Sequence, residues 1–144
     1  IFRDFGADPG DPDNYDFSLT DKYVEAARLS GARIIYRLGE SEDILGVCQR
    51  KRGIEDIDVL CRVCINIIRH FNDRFAGGYE LGIEYFELWN EGTSDVASDF
   101  EAYRRLANAV KLYNEDLKVG GISCRGFEGA RDFLRYCNKN RQND

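Results

Sequence analysis

Segments with helical spacing alternate strictly with short apolar segments along the whole chain, and this alternation constrains the fold more than any other feature. In the helical segments apolar residues recur every three or four positions. The segments between them are rich in branched and aromatic residues, as buried strands are. Strict alternation of this kind is typical of a parallel sheet covered by helices. The sequence therefore predicts an α/β fold.

Loop composition and capping residues set the expected limits of these elements. Residues 1–17 contain both prolines and five aspartates, which is the composition of a loop. Ser18 with Asp21, and Ser98 with Glu101, have the spacing of capping boxes at helix starts. The expected helices are 18–30, 56–75, a segment that starts at 98, and about 128–137; the expected strands are 32–38, 83–89 and 118–123.

Apolar stripes on the expected helices predict which residues enter the core. The second helix has the longest stripe, which consists of Ile57, Leu60, Cys61, Cys64, Ile68, Phe71 and Phe75. The third is expected to pack through Phe100, Tyr103, Ala107 and Val110. The last is expected to bury Phe133, Leu134 and Cys137.

Two closures of the sheet fit this order of elements: an open doubly wound sheet and part of a (β/α)8 barrel. The open sheet fits the 144-residue length, but its first strand should lie near the N-terminus, and both nucleotide-binding glycine motifs are missing. A complete barrel needs ~250 residues, so the chain has room for about half of one. We expect a single partial barrel domain over residues 1–144, cut from a longer protein, because the sequence starts at Ile1 and has no methionine.

The charge balance and the apolar runs argue against two classes of partner. The chain has 26 acidic and 20 basic residues, with a net charge of −6, so we expect no nucleic-acid partner. No apolar run approaches the ~18 residues of a membrane span, and there is no basic block of the kind that anchors proteins to membranes.

The five cysteines are an odd number, and their spacing indicates neither a disulfide framework nor a zinc site. Cys61 and Cys64 form a C-x-x-C pair, but both fall on an apolar helix face. No second pair follows, and His70 is the only histidine. We expect reduced, packed thiols, a cytoplasmic location and no metal or other cofactor.

The end of the second expected strand has the residues best suited to catalysis. Alternation along a strand places Glu87, Trp89 and Glu91 on one face, so that a carboxylate leaves the barrel interior at the edge where function lies in such folds. Asn90 adds a hydrogen-bonding amide, and Trp89 adds an apolar plate. A carboxylic acid between these groups can protonate a leaving oxygen while a polyol is held, as glycoside hydrolysis requires.

The segment Tyr85-Phe86-Glu87-Leu88-Trp89-Asn90-Glu91 resembles the strand-four motif of retaining (β/α)8 glycoside hydrolases, the clan that includes the β-xylosidases and α-L-iduronidases of glycoside hydrolase family 39. Further segments resemble, in chain order, the family's loop into helix two, strand three, the end of helix three and strand five. They are 14–18 with Asp21, 36–41, 68–71 and 118–121. The resemblance covers nearly the whole chain and implies a partial barrel with about strands 3–5 and helices 2–5.

The resemblance implies a β-xylosidase-like hydrolase that cleaves O-glycosyl bonds with retention. Glu91 would be its general acid/base, and Asn90 would bind the sugar hydroxyl next to the reacting carbon. Trp89 and Glu40 are further candidates for contact with the carbohydrate substrate. The family's nucleophile belongs to strand seven, which this segment does not reach. We therefore expect the chain alone to be inactive and to self-associate through its open strand edges.

Other interpretations stay open. The main alternative is a non-catalytic carbohydrate-binding or degenerate barrel fragment, and a purely structural fragment is a third. The single carboxylate and Gly92, which stands where the family usually has proline, favour these alternatives. Arg37 and Glu87 are expected to form a salt bridge rather than to take part in catalysis, because an unpaired charge in a barrel interior is costly.

Overall fold

A computed structural model describes residues 1–39, 56–88, 96–121 and 126–140 of the chain. In these ranges helices and strands alternate in the predicted order, and the strands form one parallel sheet. The helices are α1 (Ser18–Leu29), α2 (Ile57–Asn72), α3 (Val96–Tyr113) and α4 (Gly126–Asn140), and the strands are β1 (Ile35–Leu38), β2 (Tyr85–Leu88) and β3 (Lys118–Gly120). Two 3-10 turns are also present, at Pro12–Asn14 and Phe75–Gly77. The predicted mixed α/β class is confirmed.

The sheet has the order β1-β2-β3, and both strand pairs are parallel. Register partners therefore form rows that run across the three strands. On one face the rows are Ile35 with Tyr85 and Lys118, and Arg37 with Glu87 and Gly120. We refer to the second of these as the Arg37 row.

The two faces of the sheet differ in burial. Leu38, Phe86 and Leu88 are each 1% exposed and belong to the core that contains α2 and α3 residues. Ile35, which alternation places on the opposite face, is 71% exposed. One face is thus covered by helices, whereas the other is largely open in the described part of the chain.

Helix α2 supplies many of the core residues, and Asp56 caps its N-terminus. The Asp56 carboxylate accepts hydrogen bonds from the backbone N–H groups of Asp58 and Val59, both at 3.1 Å. The buried residues of α2 are Leu60, Cys61, Val63, Cys64, Asn66, Ile67, Ile68, His70 and Phe71. The predicted stripe is therefore confirmed at its centre, but it is wider than predicted and includes two polar residues, Asn66 and His70.

Helix α2 ends at Asn72, three residues before the predicted end at Phe75. Arg74 and Ala76 have positive φ values of 60° and 51°. A left-handed backbone is incompatible with continuation of a right-handed helix. Phe75 therefore belongs to a separate 3-10 turn.

The N-terminal segment 1–17 is a loop, as predicted, with one 3-10 turn inside it. Asn66 on α2 fixes this loop. Its side-chain amide donates to the carbonyl oxygen of Pro9 at 2.6 Å and to the hydroxyl oxygen of Tyr15 at 3.2 Å. Since Asn66 is buried, these bonds satisfy a polar group that would otherwise destabilise the core.

The capping box predicted at Ser18 does not form, and Ser98 does not begin helix α3. The Ser18 hydroxyl donates to the carboxylate of Asp16 at 2.6 Å, and the Asp21 carboxylate hydrogen-bonds to His70 instead of capping α1. Helix α3 begins two residues before Ser98, which therefore lies inside the helix. A partner on another element explains the first error, because tertiary contacts override a local capping pattern.

Helix α4 does not bury the residues predicted for its core face. Leu134 is 66% exposed, and Phe133 and Cys137 are only half-buried. Phe133 packs edge-on against Phe100 and Tyr103 of α3, with ring centroids 5.5 and 4.7 Å apart. Among the helices that the structure describes, α4 included, none is long and apolar enough to cross a membrane.

Candidate active site

The residues with predicted roles in substrate chemistry lie outside the described residues: Glu40, Trp89, Asn90 and Glu91. Their roles therefore stay predictions. The structure does describe the strands that lead to them, so the site is built here from the ends of β1, β2 and β3.

The carboxyl ends of β1 and β2 lie side by side. Leu38 and Leu88, the last residues of these strands, are register partners. Gly39 follows with a φ of 106°, a conformation that favours glycine and lets the chain turn away directly after β1. The segments that begin at Glu40 and Trp89 thus start from neighbouring positions on one edge. In parallel α/β folds this edge is where ligands bind.

Arg37 and Glu87 form the predicted salt bridge on the open face of the sheet. The Arg37 Nε donates to the Glu87 Oε2 at 2.7 Å. The two side chains are 44% and 28% exposed, so solvent reaches both. The pair lies one row before Leu38 and Leu88, the last residues of β1 and β2.

Gly120 is the third member of the Arg37 row and adds no side chain to it. A Cβ placed on Gly120 would have the Phe86 carbonyl oxygen at 3.6 Å and the Glu87 Cα at 3.8 Å, which is ordinary contact. Among the described residues, a methyl group at position 120 would therefore fit without a clash.

A second ion pair lies before the same two strands, at their amino ends. Arg33 Nη2 lies 3.2 Å from a Glu84 carboxylate oxygen and 3.2 Å from the Tyr85 hydroxyl. Its guanidinium carbon is 4.9 Å from the centroid of the Tyr85 ring, within cation–π distance. Because this pair is at the opposite end of the strands, it is not part of the candidate site.

His70 is a buried polar centre whose partners the sequence analysis missed. Its Nδ1 is 2.8 Å from the Phe75 carbonyl oxygen, and its Nε2 is 2.9 Å from Asp21 Oδ1. The ring stacks on Phe17 with centroids 3.5 Å apart and planes 3° apart. At 2% exposure the imidazole cannot meet a substrate, so it joins α1, α2 and the turn after α2. The sequence did contain a signal for this role, because helical spacing places His70 on the buried face of α2.

Cys61 and Cys64 are free thiols on the buried face of α2, as predicted. Burial raises the pKa of both thiols, which keeps them protonated at neutral pH and removes the thiolate that nucleophilic catalysis needs. Within the described ranges, no cluster of three or more histidine, cysteine or acidic side chains could hold a metal ion.

No protein-family model matches this sequence. Among solved structures, the chain is similar to a glucosidase from Croceicoccus marinus, with 29% sequence identity and a TM-score of 0.79. The match covers 97% of this chain and 31% of that chain, so this chain spans about a third of the length of the glucosidase. The chain therefore resembles part of a glucosidase in both fold and sequence, and this supports a glycosidase-like relationship.

Proposed function

We propose that this chain forms part of the catalytic domain of a retaining glycoside hydrolase that resembles family 39. The observation that supports this most is the match of almost the whole chain to a glucosidase at 29% identity. In the sequence the Trp89-Asn90-Glu91 motif comes directly after Leu88, the last residue of β2, and parallel α/β enzymes bind substrate with residues that follow their strands.

We propose a (β/α)8 barrel for the complete domain, with β1, β2 and β3 as about its third to fifth strands. In the described ranges consecutive strands pair in parallel, Phe86 and Leu88 on one face belong to the core with the helices, and Ile35 and Arg37 on the other face are exposed. The open face that carries the Arg37 row would be the barrel interior. In an open doubly wound sheet, by contrast, helices cover both faces.

In the proposed reaction Glu91 acts first as acid and then as base. Its carboxyl proton passes to the glycosidic oxygen as the bond to the anomeric carbon breaks, and a second carboxylate forms the glycosyl-enzyme ester. Glu91 then takes a proton from a water molecule. The water oxygen attacks the anomeric carbon and displaces the enzyme carboxylate, so the anomeric configuration is retained. A retaining enzyme holds the two carboxyl groups about 5–5.5 Å apart. The second carboxylate is assigned to sequence that follows this segment in the family.

The substrate proposed is a β-xyloside or β-glucoside. Asn90 would hold the hydroxyl next to the reacting carbon, Trp89 would stack on the apolar face of the ring, and Glu40 would bind a further hydroxyl. These roles require neither a metal nor another cofactor.

The proposal is tested with Glu91→Gln in the complete gene product that contains this sequence. Loss of a general acid should lower kcat by about 10²–10⁴-fold on a glycoside with a poor leaving group, such as xylobiose. On 2,4-dinitrophenyl β-D-xyloside kcat/KM should fall much less, because that leaving group needs no proton when the glycosyl-enzyme forms. The kcat on this substrate should still fall, because breakdown of the glycosyl-enzyme needs Glu91 as base. NMR of the first-formed sugar anomer tests retention.

Hydrolysis that is unaffected by Glu91→Gln would contradict the proposed mechanism. If the complete gene product binds glycosides but hydrolyses none of them, the result would instead support the non-catalytic alternative. The 144-residue chain alone is expected to show no turnover, since it lacks the partner carboxylate.

A further inference from the structure

We propose that His70 and Asp21 form a proton-dependent latch between α1 and α2. In the closed latch both imidazole nitrogens of His70 carry a proton, and loss of one of these protons in mild alkali releases α1. This inference goes beyond the proposed function and does not depend on it. Three observations carry it: the hydrogen-bond partners of the ring, the way the ring stacks, and how little else holds α1.

Both ring nitrogens of His70 face hydrogen-bond acceptors. Nδ1 lies 2.8 Å from the Phe75 carbonyl oxygen, which has no proton to give and also accepts a bond from the backbone N–H of Gly78 at 3.1 Å. Nε2 lies 2.9 Å from Asp21 Oδ1. A neutral imidazole has one N–H, so it can donate only one of these two bonds. The second bond needs a further proton between Nε2 and the carboxylate.

The burial of the ring makes this further proton necessary. The His70 side chain is 2% exposed and that of Asp21 is 27% exposed, so solvent reaches the carboxylate but hardly reaches the imidazole. Without the shared proton, the lone pair of Nε2 would face the carboxylate with no water to replace the lost donor. A buried polar atom left without its hydrogen bond is destabilising. The closed arrangement is therefore stable only while the shared proton is bound.

The stacking of the ring is the second observation. The imidazole of His70 lies on the ring of Phe17 with centroids 3.5 Å apart and planes 3° apart. Two neutral aromatic rings avoid this face-to-face arrangement, because their negative faces repel each other, and prefer offset or edge-on contacts. A positively charged group is instead attracted to the face of an aromatic ring. The contact therefore favours the doubly protonated imidazole.

The phenols near this pair do not replace the carboxylate. Tyr79 packs edge-on against His70, with ring centroids 5.7 Å apart, and desolvation raises the pKa of its hydroxyl. Burial also raises the pKa of Tyr36 on β1, which lies near Asp21. Both phenols therefore stay neutral in mild alkali. Within the described ranges, the counter-charge of the imidazole is thus the carboxylate of Asp21.

The third observation is that little else holds α1 against the core. Val24 is the one buried residue among the 12 of this helix, whereas nine of the 16 residues of α2 are buried. Leu19 and Tyr23 of α1 are 64% and 70% exposed. Elements with few buried contacts can open locally while the rest of the fold stays closed. Loss of the bond from Asp21 should therefore open α1 and leave α2 in place.

The direction of the pH dependence follows from the number of bound protons. A free histidine loses its second ring proton above its ordinary value of about 6.5, whereas the closed latch keeps this proton. Above that pH the closed form holds one proton more than the open form. Closure is therefore fully favoured below about pH 6.5 and weakens as the pH rises.

Amide hydrogen exchange tests the latch in the complete gene product that contains this sequence. Protection factors, which correct for the intrinsic pH dependence of exchange, are measured for peptides from α1 and from α2 at about pH 6 and about pH 9. Protection of α1 should fall about tenfold or more at the higher pH, because a hydrogen bond between charged groups is lost. Protection of α2 should stay the same.

Asp21→Asn and Glu25→Gln are matched variants, because each removes one negative charge from α1. The amide introduced by Asp21→Asn can donate its own N–H to Nε2 of a neutral ring, so this variant should keep α1 protected at about pH 9. Glu25 forms an ion pair with Arg28 of the same helix at 2.7 Å and takes no part in the latch. Glu25→Gln should therefore lose protection of α1 at the higher pH, as the wild type does.

Equal protection of α1 at the two pH values in the wild type would overturn the latch. A parallel loss of protection in α2 would also overturn it, because the pH would then be acting on the whole fold. A loss in Asp21→Asn as large as that in the wild type would show that the shared proton is not the cause. The proposed function is judged separately, by the leaving-group dependence of Glu91→Gln.

Discussion

The imidazole Nε2 of His70 lies 2.9 Å from the carboxylate Oδ1 of Asp21, although 49 residues separate them in sequence. The other ring nitrogen hydrogen-bonds to the Phe75 carbonyl oxygen, and the ring stacks on Phe17. One buried side chain thus connects α1 and the segment before it to α2. Asp21 is thereby used for tertiary packing and not for capping its own helix.

Substitution His70→Ala should destabilise the chain by about 3 kcal/mol, since it removes a packed ring and leaves two polar partners without their bonds. Asp21→Asn keeps a side-chain oxygen and an amide within reach of the ring and should cost about 1 kcal/mol or less. Urea unfolding of the two variants measures the difference. Equal effects would show that the ring contributes no more than the Asp21 bond.

Gly78→Ala should be strongly destabilising, by about 3 kcal/mol. A Cβ on Gly78 would lie 2.0 Å from the His70 carbonyl oxygen and 2.6 Å from its Nδ1, so the turn after α2 would have to move. Gly120→Ala is the matched control, because its Cβ meets nothing closer than 3.6 Å. Thermal unfolding should separate the two clearly. A Gly120→Ala variant as unstable as Gly78→Ala would contradict the described register of β3.

Cys61 and Cys64 should resist alkylation in the native chain. Both thiols are buried, so the reagent cannot reach them. Burial also raises the pKa of each thiol, so the reactive thiolate does not form. Peptide-resolved mass spectrometry after treatment with iodoacetamide should find them labelled only when denaturant is added. Cys137, which is half-buried on α4, should react before Cys61 and Cys64. Rapid native labelling of Cys64 would contradict the packing of α2.

The stabilising effect of Glu101, which bonds to Arg104 within α3 and to Tyr136 of α4, should weaken in acid. Hydrogen bonds from Arg104 and Tyr136 lower the pKa of Glu101, so its stabilising effect is present above the ordinary glutamate value of about 4.3 and is lost as the pH falls through the lower folded value. Glu101→Gln should therefore differ from the wild type by about 0.2–1 kcal/mol at pH 7 and by less near pH 3. Unfolding at both values tests this. Arg104→Gln should show the same loss of pH dependence.

The isolated chain should self-associate. In the described part of the chain β1 and β3 each pair only with β2, and Ile35 is 71% exposed on the open face. Strands with open edges and exposed apolar residues favour association. Light scattering should show a mass that rises with concentration, and Ile35→Lys should reduce the rise. Leu112→Lys, which changes an even more exposed residue on α3, should not. A monomer at every concentration would contradict the open sheet.

The sequence was informative where the determinants are local, and less so where distant partners decide. Alternating periodicity predicted the order of helices and strands, and strand parity predicted the Arg37–Glu87 bridge. Asn66 was missed because its partners, Pro9 and Tyr15, lie 57 and 51 residues away. Asp21 was misassigned for the same reason. The predicted substrate residues at the end of β2 stay a prediction based on the motif.

The hydrogen bonds from Asn66 to the loop 1–17 have a consequence for biosynthesis. Proteins leave the ribosome N-terminus first, yet the carbonyl of Pro9 meets its partner only after 57 further residues have been made. At about 5–20 residues per second this delay is about 3–11 s. During that interval the aromatic side chains of the segment can pack only on one another, as Phe2 does on Phe5 and Tyr15. Segment 1–17 therefore stays accessible to nascent-chain chaperones until α2 has been made.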